Sequence, residues 1–271
     1  MRDFDSGQIA ERSLMKTFKG PIFAKLVKAV DDYRLIEDDD RIAVAVSGGK
    51  DSLLLAKLLE TYRKYGSRRF ELQYLTLDPG YPDELLARHR ENCEKLNIPI
   101  NIFPANLFAA ATSMAPESPC YLCARMRRGF LYSKAKELGC NKLALGHHFD
   151  DVIETTLLNI FYAGCFKTML PKAKAENFDG MELIRPMYLI KEKDTIRFAR
   201  HHQLHVIDCG CPVAASQLDS KRREIKNLID SLRKTYKNID INIFRAAENV
   251  NLASVLGYRD DTGRHSFLDG Y

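Results

Sequence analysis

No run of about 18 apolar residues occurs in the chain, so the sequence offers no membrane-spanning helix. The opening MRDFDSGQIAERS lacks the apolar core of a secretory signal, and the expectation is a cytoplasmic protein that makes no use of a membrane. No internal repeat or low-complexity tract is visible either. What remains is a chain of 271 residues, 45% hydrophobic, long enough to bury a full core as one large α/β domain or one domain with appendages. Its seven cysteines are expected to stay reduced in such a compartment, which favours metal or catalytic roles over disulfides.

Two common nucleotide-binding spacings are also absent from the stretch that organises the chain, Arg41 to Leu55, RIAVAVSGGKDSLLL. It is neither G-x-x-x-x-G-K-[ST] nor G-x-G-x-x-G. Alternating Ile42, Val44 and Val46 instead stop at Ser47-Gly48-Gly49, and a helical pattern restarts at Asp51. A buried strand feeding a glycine turn and a helix N-terminus makes a phosphate cradle, because the glycines let backbone N–H groups approach an anion. The alternative is an ordinary strand-to-helix turn capped by Ser47 or Asp51.

Residues 1–20 read as a loosely ordered lead-in, followed by a helix from Pro21 to about Leu35. The acidic run Glu37-Asp38-Asp39-Asp40 reads as a solvated turn. Strands are expected at 42–46, 70–78, 98–103, 142–145, 183–186 and 205–207, and helices at 52–65, 83–96, 120–138, 150–162, 193–202 and through 216–247. This alternation argues for βαβ units and a parallel sheet, whose ligands sit beyond the carboxyl ends of the strands, where Ser47, Asp78 and Gly146 all fall. Gly164 to Gly180 reads as a loop and candidate flap, and Gly257 to Tyr271 as a polar tail.

Three further groupings carry chemistry. Gly146-His147-His148-Phe149-Asp150-Asp151 ends a strand and opens a helix, either as a site for a magnesium-bearing anion or as plain helix capping. Cys120-Tyr121-Leu122-Cys123 and Cys209-Gly210-Cys211 could together hold a structural zinc, an iron–sulfur cluster with one open iron, or a redox-active thiol. Cys93, Cys140 and Cys165 read as isolated small hydrophobes. Arg125, Arg127, Arg128, Lys134, Lys136 and Lys142 face one acid, Glu137, in 121–142, and Lys221, Arg222 and Arg223 open a second basic stretch ending at Lys237. Either these bind a polyanion such as RNA or they are two solvated helix faces.

SGGKDS, CYLCARMRRGFLY, LGHHFDD and IRPMYLIKEKD, in this order, resemble the tRNA 2-thiocytidine synthetase family of PP-loop ATP pyrophosphatases, from about Pro21 to Asn249. The resemblance implies an α/β, parallel-sheet PP-loop core, of the adenine nucleotide alpha hydrolase kind, with helical N- and C-terminal additions. The expected divisions are 1–36, 37–215 and 216–271. It implies an enzyme that adenylates a tRNA cytidine and thiolates it with ATP, Mg²⁺ and a [4Fe-4S] cluster. Ser47, Gly48, Gly49, Lys50, Asp51, Ser52, Asp78, Gly146 and His147 would bind nucleotide, and Asp51 or Asp151 the magnesium. Cys120 and Cys123 would be two cluster ligands. The third is Cys211 or Cys209, with Cys211 favoured, because Cys209-Gly210-Cys211-Pro212 departs from the family's C-x-x-C-G-S-Q. Cys165, in AGCFK, departs from a usual glycine–lysine pattern. Arg125, Arg127, Arg128, Lys221, Arg222 and Arg223 would hold tRNA, and a sulfur donor such as a cysteine desulfurase system would serve as partner, with a homodimer left open. A lysidine-synthetase-like ligase, a zinc or persulfide thiolase and a non-enzymatic RNA-binding module stand as rival readings.

Overall fold

The computed structural model describes residues 4–105, 119–207 and 219–270. The chain divides into two compact units, Met1–Val152 with Leu170–Arg222, and Ile153–Met169 with Arg223–Tyr271.

In the first unit, strands β1 (Asp40–Ala45), β2 (Phe70–Asp78), β3 (Ile100–Pro104), β4 (Lys142–Ala144), β5 (Lys172–Lys174) and β6 (Glu182–Ile184) form one sheet in the order β3-β2-β1-β4-β6-β5. All neighbours run parallel except β5, which lies antiparallel on the β6 edge. β1 is apolar on both faces because both are covered. Ile42 and Val44 enter a large core with leucines of helix α3 (Lys50–Tyr65), while Ala43 joins a smaller one with Tyr132 and Ala135 of helix α5 (Pro119–Glu137).

The large core also takes helices α1 (Ser6–Met15), α2 (Ala24–Tyr33) and α7 (Glu192–His201), and the C-terminal end of α4 (Asp83–Lys95). The expected loose lead-in is therefore corrected: residues 6–15 are helical. Asp5 is the reason, since the Gln8 amide donates to Asp5 Oδ1 at 2.8 Å and the Asp5 amide donates back to Gln8 Oε1 at 3.3 Å. That reciprocal box satisfies two orphan donors, and Leu14 seals the helix into the core.

Other expectations change as well. The stretch 205–207 is not a strand; its polar groups pair with a side chain and a loop carbonyl instead, as described below. The loop 164–180 contains β5, an edge strand whose lysines hid it. The acidic run is not wholly solvated, and Lys142 belongs to no basic surface. Asp40 is buried, and Lys142, 2% exposed, donates from Nζ to Asp40 Oδ2 at 2.6 Å and to Leu35 O at 3.2 Å. The Asn141 carboxamide and the Glu37 amide complete the shell of Asp40.

The second unit holds helix α6 (Phe149–Ala163) from Ile153 onward, helix α8 (Asp219–Thr235) from Arg223 onward, helix α9 (Ile239–Ala246), and a hairpin in place of the expected tail. Its strands, β7 (Gly257–Asp260) and β8 (Gly263–Ser266), turn at Asp261-Thr262, where Asp260 Oδ1 accepts from the Thr262 and Gly263 amides.

Removing one partner of a buried pair leaves an uncompensated charge, so Lys142→Ala should lower the unfolding free energy by about 3–5 kcal/mol in a urea titration. The double change Asp40→Asn, Lys142→Met should lose less than Lys142→Ala alone. A single variant within about 1 kcal/mol of the parent would show that the pair contributes little.

Candidate active site

The chain winds outward from β1 to β2 to β3, then crosses through α5 to β4 on the other side of β1. The winding reverses there, so the loops after β1 and β4 diverge and leave a crevice at their carboxyl ends. β1 delivers Ser47-Gly48-Gly49 to that crevice and β4 delivers Gly146-His147-His148.

The first loop is closed by its own serine. Ser52 Oγ donates to Gly49 O at 2.9 Å and accepts from the Ser47 amide at 3.1 Å, so this hydroxyl braces the loop. Gly48 has φ +85°, and a Cβ there would stand 2.9 Å from Ile207 Cδ1 and 3.1 Å from His89 Nδ1. Both backbone conformation and space require glycine. No side chain caps α3 at Gly49, so the orphan N–H groups of its first turn remain available to an anion.

The second loop lies against that turn. A Cβ on Gly146 would stand 3.1 Å from the Asp51 carbonyl carbon and oxygen and 3.2 Å from the Ser52 nitrogen. Here the glycine permits backbone approach, and it joins the two motifs in one site. Lys50 Nζ donates to Asp51 Oδ2 at 2.8 Å and lies 3.3 Å from Glu192 Oε1. Burial alone would lower the Lys50 pKa, but Asp51 and then Glu192 outweigh it and hold the ammonium above its usual value. Asp51 Oδ1 is buried and accepts no hydrogen bond, with His148 Nε2 at 3.9 Å.

α6 is capped as a reciprocal box. The His148 amide donates to Asp151 Oδ2 at 2.9 Å, and the Asp151 amide donates to His148 Nδ1 at 3.4 Å. His148 Nδ1 also lies 3.3 Å from Asp151 Oδ2, and the ring's Nε2 side faces Asp51 Oδ1 at 3.9 Å. Asp151 Oδ1 accepts from Arg222 Nη2 at 2.6 Å, so Asp151 serves as a cap and an ion-pair partner. Asp150 Oδ2 accepts from the Glu192 amide at 2.7 Å, which fastens α7 beside Lys50. His147 Nδ1 accepts from Arg185 Nε at 3.3 Å. Burial first, then the surrounding Arg185, Arg222 and Arg128 despite Asp151, lower the His147 pKa to about 4, so it is neutral near pH 7.

The other sequence-predicted residues fall as follows. Asp78 Oδ1 accepts from the Gly80 and Tyr81 amides and shapes the turn after β2. Cys120 and Cys123 lie one turn apart along α5, with Cys123 a half-buried free thiol. Arg125 and Arg128 are exposed on the same helix and Arg127 half-buried. Lys221 and Arg223 are exposed near the start of α8. Cys209 and Cys211 lie outside the described residues. Among the described residues no three His, Cys, Asp or Glu side chains gather closely enough to hold a metal. His148 was named within 146–151 but given no role of its own, and Glu192 and Arg185 were not singled out; their signal was the charge-rich IRPMYLIKEKD.

Beneath the glycine loop lies a buried relay. Thr76 Oγ1 donates to Val46 O at 2.9 Å and is 2.8 Å from His89 Nε2, whose Nδ1 is 3.7 Å from Cys93 Sγ. The Thr76 proton is spent on Val46, so His89 carries its own on Nε2 and Nδ1 accepts from the Cys93 thiol. Burial and then Arg90 lower the His89 pKa to about 4, and burial with Glu94 raises the Cys93 thiol to about 12. Alongside, Asn92 pairs with both backbone groups of His205, and the Ile207 amide donates to Gly48 O at 3.0 Å.

Two outcomes follow. Gly48→Ala should weaken ATP binding at least about tenfold in a titration calorimeter, since it strains φ by about 1–2 kcal/mol and drives a methyl into Ile207; unchanged affinity would remove the loop's need for glycine. The unfolded chain takes up protons at its histidines near pH 6.5, whereas His89 and His147 resist until about 4. The stability these two histidines contribute is therefore full above about 6.5, falls by a few kcal/mol as pH drops toward 4, and levels off below. Urea midpoints across that range should show it, with a shallower fall in His89→Gln.

Comparison with known proteins agrees with this geometry. The PP-loop domain family matches residues 19–209. The tRNA-cytidine(32) 2-sulfurtransferase of Geobacter sulfurreducens is 40% identical over 235 residues, covering 82% of this chain and 87% of the relative. That of Geotalea daltonii is 38% identical over 254 residues, covering 93% and 98%. The solved U34-tRNA thiolase NcsA from Methanococcus maripaludis with its [4Fe-4S] cluster shares the fold at a TM-score of 0.66 and 24% identity, over 83% of this chain and 77% of that one. With a switch-point site built from SGGKDS and GHHFDD, the chain belongs to the PP-loop family and, within it, to the tRNA-cytidine 2-sulfurtransferases.

Proposed function

We propose that the chain is an ATP-dependent tRNA sulfurtransferase that replaces the C2 oxygen of a cytidine by sulfur, at position 32, the position in its relatives' names. The observation that carries this reading is the junction at Gly146, where the uncapped first turn of α3 meets the loop that opens α6. The C2 oxygen of cytidine is a poor leaving group. Transfer of AMP to it, with cleavage of the α–β bond of ATP and release of pyrophosphate, makes it a good one. The N–H groups of residues 49–52 receive the departing pyrophosphate, and the Lys50 ammonium balances its charge. Gly146 and neutral His147 line the same crevice, and Asp78 shapes the turn at the end of β2.

Asp51 Oδ1, a buried acceptor with no donor, fits a divalent cation, which when bound neutralises phosphate charge. Asp151 fits less well, because both its oxygens already accept. Cys120 and Cys123 stand one turn apart on one helix, sulfur ligands of the soft kind suited to an iron–sulfur cluster, with Cys211 or Cys209 as the third. A cluster held by these cysteines would supply the sulfur nucleophile. Arg125, Arg127, Arg128, Lys221 and Arg223 hold tRNA phosphates, and Arg222 additionally neutralises Asp151. Sulfur is replenished by a donor such as a cysteine desulfurase system.

Anaerobically purified or reconstituted protein should be brown, contain iron, and release pyrophosphate from ATP in the presence of tRNA. Asp51→Ala should lower that release at least about 100-fold, because cation and lysine anchor are lost together. Nucleoside digestion of the treated tRNA should give 2-thiocytidine. Colourless protein holding zinc would replace the cluster with a persulfide route, and undiminished turnover in Asp51→Ala would overturn the site assignment.

A further inference from the structure

The end of α6 is unusual for a surface helix. From Ile160 through Lys167 every residue is exposed, and the stretch includes Phe161 at 58% and Phe166 at 49% exposure. Single exposed hydrophobics are ordinary, but two phenylalanines flanking one helix end mark a contact surface. The end is fastened in place. The Cys165 amide donates to Asn159 O at 3.0 Å, Asn159 Nδ2 donates to Lys167 O at 2.7 Å, and the Thr156 and Thr168 hydroxyls meet at 2.9 Å. Within the same unit, the Tyr162 hydroxyl donates to Glu224 of α8. α8 buries Ile225 and Ile229 and exposes Lys226 and Lys234, with Lys237 exposed just beyond its end.

Exposed aromatic rings and exposed lysines on one unit, its α6 end tied to α8 through Tyr162 and Glu224, suit a polyanion that also offers flat apolar faces. An RNA duplex does not, because its bases are stacked inside. Unpaired loop bases do, and they stack on phenylalanine while lysines hold the phosphates. We propose that Phe161 and Phe166 form a stacking platform for unpaired bases of the tRNA anticodon loop, with Lys226, Lys234 and Lys237 holding the adjoining phosphates. This rests on the sulfurtransferase reading, since position 32 lies in that loop.

The test measures binding of the full chain to an unmodified tRNA transcript without ATP, and to an RNA duplex of equal length. Phe161→Ala, Phe166→Ala should weaken tRNA binding about 5- to 100-fold, leave duplex binding unchanged and leave the salt dependence as it was. Phe161→Leu, Phe166→Leu, which keeps apolar volume without a ring, should show the same loss, and Phe161→Tyr, Phe166→Tyr should restore binding. Lys226→Ala, Lys234→Ala should instead flatten the salt dependence by a little under one unit of slope per lysine. Unchanged tRNA affinity in the alanine variant overturns the platform. So does unchanged affinity with loss of an oligomer by light scattering, which would assign the rings to a second copy of the chain. If wild-type protein forms no 2-thiocytidine yet the phenylalanine variants lose tRNA binding, the activity reading fails and the platform stands.

Discussion

The end of β4 and the first turn of α3 approach so closely that a side chain between them would force their backbones apart by a few tenths of an ångström. Gly146 lies so close to Asp51 and Ser52 that even a methyl group would press on their backbone. This approach follows from the sheet, because β1 and β4 are adjacent parallel strands whose connections leave in opposite directions. Two helices therefore start side by side, and each brings the positive end of its dipole to the crevice. The closeness of the strands sets the spacing, and glycine at 146 makes it sterically attainable.

An anion site containing Asp51, Asp151 and Glu192 would repel its ligand unless each carboxylate were answered. Asp151 is taken up by the α6 cap and Arg222, and Glu192 by Lys50. Asp51 keeps a buried oxygen, Oδ1, that accepts no hydrogen bond. Burial holds His147 and His89 neutral near pH 7, so neither adds positive charge there. Lys50, Arg185 and Arg222 bring positive charge to the crevice.

Much of this was legible beforehand because it depends on local signals. Strand β2 follows from FELQYLTLD, and the cradle from glycines set after an apolar strand. The capping alternative for Asp151 was also legible, and the geometry realises it. What was missed depends on contacts far along the chain. Lys142 reads as one more cation near α5, yet its partner Asp40 lies 102 residues earlier. α1 carried a local signal in Asp5 and Gln8, but its sparse apolar residues acquire meaning only once Leu14 meets the core. The false strand at 205–207 came from reading apolar character alone; Asn92 supplies by side chain the bonds a neighbouring strand would have given.

That last substitution bears on how the two chemistries of the site are linked. The segment before the C-x-C pair is clamped at His205 by Asn92 of α4, and its last described residue, Ile207, is bound to the phosphate loop itself. The Ile207 amide donates to Gly48 O, and its side chain packs where a Gly48 side chain would be. A strand would have spread those bonds along its length and placed the segment in the sheet. A clamp at His205 and a bond at Ile207 hold it instead. His89 packs beneath Gly48, on the same helix as Asn92. One helix, α4, therefore supports both the glycine loop, through His89, and the segment that leads to the cysteines, through Asn92.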